Sequence, residues 1–401
     1  MNEMLDDREM HNMRNLYSRM ALGIVVSLLA CSLAGVRSGT ADTVCPVAGD
    51  QAVTDALTPI RQQYHVPAIA GAIVTSKGLD VCGVVGVRKM GTEIPASPSD
   101  QWHLGSDTKA MTATLVGRLV EQGPLKWNTT VAEVFPDLAL GFSPEMRGVT
   151  VLQLLSHRAG LPADLNWWSN FGIPGEAKPR ALRLGALKQA LAKKPESSPG
   201  SEFKYSNLGY VIVGAIVEKV TGMSWEEAIR DKVLKPLGME SAGFGGVGTP
   251  GQIDQPWGHT EGAKPVATNG PSTDNAPILG PAGRVHCTIQ DWAKFVTDQL
   301  RGARGEPALL QDSTYQVLHR PPFGGDYALG WGVVERDWGG GTVLNHAGDN
   351  TMNHANVWIA PQRDFAVLVC INQGGDTASK ASDAAVGALI RLHLSRTKKG
   401  E

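Results

Sequence analysis

The sequence predicts an α+β fold: an antiparallel β-sheet flanked by helices, with a mainly helical region inserted between its strands. Three observations carry this. Strand-like runs at Ala68–Thr75 and Val81–Arg88 are joined by a turn at Ser76-Lys77-Gly78. A second set of short apolar or alternating runs lies far along the chain, at Ala328–Glu335, Val343–His346, Asn356–Ile359 and Ala366–Asn372. Between them, from Ser106 to about Leu300, the pattern is mainly helical with loops. Strands at both ends of a helical middle bury their apolar faces best by meeting in one sheet. The expected domain therefore spans 42–396, its sheet drawn from about 51–105 and 328–394 and its helical region from about 106–300.

Residues 1–41 stand apart as a signal peptide or membrane-targeting leader. The apolar run Ala21–Val36, preceded by Arg14 and Arg19, has 16 residues. That is short for a membrane span and suits a signal-peptide core. Gly39-Thr40-Ala41 offers small residues for cleavage before Asp42, and Met13 is a second candidate initiator. Leu28-Leu29-Ala30-Cys31 looks like a lipoprotein cleavage box, and a retained membrane anchor is the third outcome. The expectation is export, to a periplasmic or secreted location, with attachment through the N-terminus left open.

In the middle, Leu208–Thr221 has helical spacing and closes on Gly222, while Trp225–Val233 and Thr288–Leu300 read as amphipathic helices. The turn Pro361-Gln362-Arg363-Asp364 makes a hairpin of the last two strands, and Ala378–Leu394 reads as a C-terminal helix. With 401 residues, 42% hydrophobic and 19% charged, the chain can bury a sizeable core in one large domain or two intimate ones. A net charge of -2 with no long run of either sign gives no reason to expect a nucleic-acid partner. Five cysteines are too few for a disulfide scaffold and lack paired zinc spacing. Apart from Cys31 they are Cys45, Cys82, Cys287 and Cys370; Cys45 and Cys82 are either a bridge in an oxidising compartment or buried free thiols.

Three stretches carry candidate chemistry. Ser106 and Lys109 lie three residues apart at the head of an apolar run, so a helix starting there puts both on one face. The positive potential of a helix N-terminus favours a developing alkoxide and depresses the lysine pKa. Leu104, Ala110, Met111, Ala113, Leu115 and Val116 imply a buried helix, and a buried lysine is costly without a partner or a task. The competing reading is a capping serine and a surface lysine. Tyr205-Ser206-Asn207 falls on a loop between Pro199-Gly200 and a helix, where Tyr205 can face a cleft and Asn207 serves equally as an N-cap. His346-Ala347-Gly348 ends a strand, and Gly348 would let a substrate backbone approach closely. His346 alone reads equally as structural, and Asp349-Asn350 as a turn.

In combination and in this order, the three motifs resemble those of the penicillin-recognising serine acyltransferases. The chain is similar to the class C-like branch of the serine β-lactamase and penicillin-binding protein superfamily, which carries Tyr-x-Asn as its second motif. That branch includes class C β-lactamases, D-alanyl-D-alanine carboxypeptidases, D-aminopeptidases and family VIII carboxylesterases. The likeness runs from about Gln51 to Leu394. It includes LLSHRAGLP (Leu154–Pro162), PGSEFKYSNLGY (Pro199–Tyr210), VLKPLGM (Val233–Met239), GPAGRVHCTIQDWAKF (Gly280–Phe295) and YALGWGV (Tyr327–Val333).

The resemblance implies a β-lactamase/transpeptidase-like fold and acyl transfer through an ester on Ser106. It implies a proton relay of Lys109 and Tyr205, hydrogen-bonded to each other, with Asn207 orienting Lys109 and the acyl group. The oxyanion hole would be the backbone N–H groups of Ser106 and Asp349. The third motif departs from the Lys-Thr-Gly of class C β-lactamases. His346 has a reference pKa of about 6.5, Ala347 has no hydroxyl and Asp349 adds negative charge, so nothing there matches a β-lactam carboxylate. The expectation is an esterase with weak β-lactam hydrolysis. A β-lactamase, D-alanyl-D-alanine carboxypeptidase or D-aminopeptidase is the enzymatic alternative, since some carboxypeptidases carry His-Thr-Gly. A catalytically silent cell-envelope binding protein is the alternative of another class; intact Ser106, Lys109 and Tyr205 argue against it.

The expected partner is thus a small-molecule ester, amide or β-lactam. No Gly-x-Ser-x-Gly, His-Glu-x-x-His or Gly-rich phosphate loop occurs, so neither metal nor cofactor is expected. His103, His157, His259, His319 and His354 default to structural or surface roles. Asn166-Trp167-Trp168 and Trp331 read as acyl-pocket lining or as packing aromatics, and Arg284, near the cleft by resemblance, is given no role.

Overall fold

The computed structural model describes residues 48–166, 179–267 and 273–400. Residues 1–41, expected to be a leader, lie outside them, as do Cys45, Trp167 and Trp168. Helix α1 (Gln51–Tyr64), unanticipated above, starts where the Asp50 carboxylate accepts the Ala52 and Val53 N–H groups. Strands β1 (Ala68–Thr75) and β2 (Gly78–Gly86) then form the first hairpin, followed by β3 (Gln101–His103) and helix α2 (Thr108–Glu121). Helix α2 is buried nearly all round, as its apolar sequence requires.

The middle of the chain supplies α3 (Pro179–Leu191) and α4 (Asn207–Thr221), the latter closed by Gly222 at φ 75°. Arg183 of α3 has no exposed surface and is held by Glu218 at 2.8 Å and Glu226 at 2.6 Å, which ties these helices together. The amphipathic segment from Trp225 is helical only to Ile229 and then loosens into a π-turn over Arg230–Leu234. Strands β4 (Gly243–Phe244) and β5 (Val285–Thr288) join β3 in a small antiparallel sheet of order β3-β5-β4. Segments of two to four residues are too short to show a period, so β4 and β5 went unseen in the region expected to be helical. Helix α5 (Ile289–Ala303) follows, capped by Thr288.

The chain closes with β6 (Gly332–Arg336), β7 (Gly341–Asp349), β8 (His354–Ala360), β9 (Phe365–Ile371) and α6 (Asp376–Gly400). β6 begins four residues later than the sequence pattern suggested, because Ala328–Trp331 forms a turn in which the Ala328 N–H donates to the Trp331 carbonyl at 2.8 Å. The main sheet runs β2-β1-β9-β8-β7-β6, antiparallel throughout, with Ala48–Gly49 added outside β2. The distant ends meet where Ile69 pairs with Ile371 and Val74 with Ala366, as expected. Alternate residues of β1 face opposite layers. A Cβ at Gly71 would touch Leu57 of α1 and Leu389 of α6. Ala70 and Ala72 join the core that contains Trp292 and Phe295 of α5 and most of the helical region. Trp331, 1% exposed, belongs to that core, so packing is its role. Cys287 and Cys370 are buried free thiols. Among the described residues no helix is long and apolar enough to cross a membrane.

Candidate active site

The turn that carries Ser106 is held by two glycines. Gly105, at φ +49°, opens a 3-10 turn over Gly105–Asp107 that runs into α2. A Cβ on Gly105 would lie 2.5 Å from the Asp349 nitrogen, and one on Gly348 would lie 2.0 Å from the Leu104 carbonyl and 2.6 Å from the Ser106 nitrogen. Gly348 therefore serves first to let β7 touch the Ser106 turn. The amides of Ser106 and Asp349 consequently belong to two backbone segments in direct contact.

Ser106 is half-buried, and no side chain caps the turn or α2, so the capping reading of Ser106 does not hold. Lys109 has no exposed surface, which removes the surface-lysine reading as well. Its Nζ donates to Ser106 Oγ at 2.9 Å, Asn207 Oδ1 at 2.7 Å and the Ala282 carbonyl at 2.8 Å. Burial lowers its pKa from 10.5 to about 7, against the opposing pull of the Asp164 and Asp107 carboxylates. The partner set decides what deprotonation does. Asn207 Oδ1 and the Ala282 carbonyl can only accept, so a neutral amine keeps its two protons on them and turns its lone pair to the Ser106 hydroxyl. Asn207 cannot flip out of this arrangement without loss, because its Nδ2 donates to Asp164 Oδ1 at 3.0 Å.

Asn207 is not the N-cap of α4. Ser206 is: its Oγ accepts the Gly209 N–H at 3.1 Å and donates to the Pro162 carbonyl at 2.6 Å. That releases the Asn207 side chain for Lys109. The Asn207 N–H donates to the Ala163 carbonyl at 2.8 Å, fastening the second motif to the loop after His157. Tyr205 lies with its ring centroid 4.8 Å from Lys109 Nζ and 4.3 Å from the His157 ring. His157 is a buried residue in left-handed backbone, φ 57°, a conformation uncommon outside glycine. Its Nδ1 accepts the Ser206 N–H at 3.0 Å, so its proton is on Nε2, which points to Tyr327 Oη at 3.3 Å. Burial and the Lys109 charge hold its pKa well below 6.5.

His346 sits at the far end of this chain, with Nε2 3.0 Å from Tyr327 Oη and Nδ1 3.4 Å from Asp107 Oδ1. It is 5% exposed, and burial, reinforced by the Lys109 charge, lowers its pKa to about 3. It is therefore neutral at pH 7. The Asp349 carboxylate bends back onto its own turn, accepting the Thr351 N–H and, at 3.4 Å, the Gly375 N–H.

Ser106, Lys109 and Asn207 are thus in direct contact. Tyr205 lies against the same ammonium, His346 behind the turn, and the Asp349 amide beside it. Sequence reading gave no role to His157, Tyr327, Asp107, Asp164 or the Ala282 carbonyl. His157, Ala282 and Tyr327 fall inside the quoted blocks LLSHRAGLP, GPAGRVHCTIQDWAKF and YALGWGV, and that was their only signal. Arg284 is paired with Asp274 at 2.7 Å, and Asp274 also meets His103 at 2.6 Å.

A fold of this topology with a Ser-x-x-Lys pair buried between sheet and helices marks a serine hydrolase of the β-lactamase and penicillin-binding type. The chain belongs to the Beta-lactamase family, whose model matches residues 53–392. Penicillin-binding protein 4 of Amycolatopsis lactamdurans is 27% identical over 336 residues, which cover 80% of this chain and 84% of that one. Protein flp of Staphylococcus aureus (strain MW2) is 24% identical over 80% of this chain, and the match spans 62% of flp. The solved structure of D-alanine carboxypeptidase AmpC from Burkholderia cenocepacia shares the fold, with a TM-score of 0.65 and 21% identity over 84% of this chain and 98% of that one.

Proposed function

We propose that the chain is an exported serine hydrolase that forms an acyl-enzyme on Ser106 and acts on carboxylic esters. One observation carries the reading: Lys109, with a pKa of about 7, directs its only uncommitted position at Ser106 Oγ. Neutral Lys109 takes the Ser106 proton as Oγ attacks the ester carbonyl. The backbone N–H groups of Ser106 and Asp349 receive the oxyanion, each worth ~3 kcal/mol. Collapse expels the alcohol, which regains the proton through Lys109 and Tyr205. A water activated by Tyr205 then attacks the acyl-enzyme and returns the proton to Ser106.

Esters are favoured because of His346. A β-lactam or a peptide ending in a carboxylate gains from a fixed cation at the third motif, and a neutral, buried imidazole supplies none. A panel of p-nitrophenyl esters, nitrocefin and D-alanyl peptides tests the preference. The esters should turn over fastest and nitrocefin slowly. Nitrocefin or a D-alanyl peptide outrunning every ester would replace the esterase reading with the β-lactamase or peptidase one.

Export rests on the leader. Intact-mass measurement of protein from the periplasm or medium should show a chain beginning at Asp42, or at a lipidated Cys31 in a membrane fraction. Full-length chain confined to the cytosol would overturn it.

A further inference from the structure

Asp107, directly after the nucleophile, is 2% exposed, and neither of its carboxyl oxygens has a hydrogen-bond partner among the described residues. The same is true of His346 Nδ1. These two orphaned groups face each other at 3.4 Å. A buried polar group without a partner is rare in folded proteins, and two that face each other answer each other's need. Their positions give the contact a meaning. Asp107 is on the turn that presents the Ser106 amide, and His346 is on β7, three residues before the Asp349 amide.

We propose that Asp107 is a positioning residue: its carboxyl group, set against His346 Nδ1, clamps the strand bearing the Asp349 amide to the turn bearing the Ser106 amide, and so holds the spacing of the oxyanion hole. This rests on the acyl-enzyme reading of Ser106. Burial pushes the Asp107 carboxyl well above the usual carboxylate range, with Lys109 opposing, while burial keeps the His346 imidazole neutral at pH 7. The titratable groups that act on or feel Asp107 are Lys109 on α2, His346 on β7 and Cys370 on β9. A carboxyl group that burial makes harder to ionise limits the negative charge set beside the anion that forms on the substrate. Tyr327, at His346 Nε2, and His157 extend the same line of contacts to the Ser206 amide beside Asn207.

The test compares Asp107→Asn with Asp107→Leu on the best p-nitrophenyl ester, with melting curves for each. Asn is isosteric and can meet His346 Nδ1 with either end of its amide. It should keep kcat within about threefold, and any movement of the acid limb should be to lower pH, since Asp107 raises the Lys109 pKa. Leu removes the polar contact and should lower kcat about tenfold to hundredfold with KM little changed, the signature of a displaced oxyanion hole. If the Leu variant does not fold, Asp107→Ala carries the same expectation. Asp107→Asn as damaged as Asp107→Leu would overturn the clamp. Equal, wild-type kcat in both variants would remove the clamp altogether. Ser106→Ala run alongside separates the two readings: if it stays active the hydrolase reading fails, and if it is dead while Asp107→Leu is fully active only the clamp fails.

Discussion

Ser106→Ala should lower ester hydrolysis by about 10⁵-fold while the protein stays folded. The Oγ atom is what bonds to the acyl carbon, so its loss leaves only binding and the oxyanion hole, which sustain a residual ~10³-fold over water. Stability should change little, because Ser106 is half-buried and caps no helix. Mass spectrometry after a fluorophosphonate should find the adduct on Ser106 in the wild type and none on the variant. The neighbouring serines are committed elsewhere: Ser156 Oγ donates to the Leu152 carbonyl at 2.7 Å and Ser206 Oγ to the Pro162 carbonyl at 2.6 Å. An adduct on either, or full activity in Ser106→Ala, would end the acyl-enzyme mechanism. A catalytically silent binding protein would show neither adduct nor turnover.

Lys109→Ala should cost about 10³-fold to 10⁴-fold in kcat/KM and abolish the acid limb of the pH profile. In the wild type that limb should report one proton with an apparent pKa near 7, rising with pH, because only the neutral amine can take the Ser106 proton. His346, lowered to about 3, and His157, held well below its usual value, are already neutral there and add nothing to the limb. Asp164 offers a check of sign. Its carboxylate favours the charged ammonium and so raises the Lys109 pKa. Asp164→Asn should therefore move the limb to lower pH, by less than about one unit since the carboxylate is exposed and water screens it. A limb that moves upward, or one that survives in Lys109→Ala, would assign the titration to another group.

The helix and strand pattern was readable because the longer elements show their period. β1, β7, β8, β9, α4 and α5 lie close to where alternation, helical spacing and Gly222 put them. The small sheet β3-β5-β4 was not, since two to four residues carry no period. The Ser106 and Lys109 pair was legible as a spacing, and the second and third motifs as a resemblance. Local capping logic misread them: it offered Ser106 and Asn207 as caps, whereas Ser206 caps α4 and leaves Asn207 free to face Lys109. Asp107 and Asp164 had no signal at all, because an aspartate beside a helix start looks the same whether it meets water or a buried imidazole.

By itself the sequence determined which residue types stand three apart on one helical face, which runs become strands, and that a lysine would be carried into an apolar layer. The tertiary structure alone decided what that lysine does. Its acceptors come from Asn207 and Ala282, 98 and 173 positions away. Its basicity follows from desolvation by a packed neighbourhood that no single segment contains. The same holds for His346: a residue with an ordinary pKa of 6.5 became neutral and anchored only when β7 closed against the Ser106 turn, because the energy of a charge is set by what surrounds it in space.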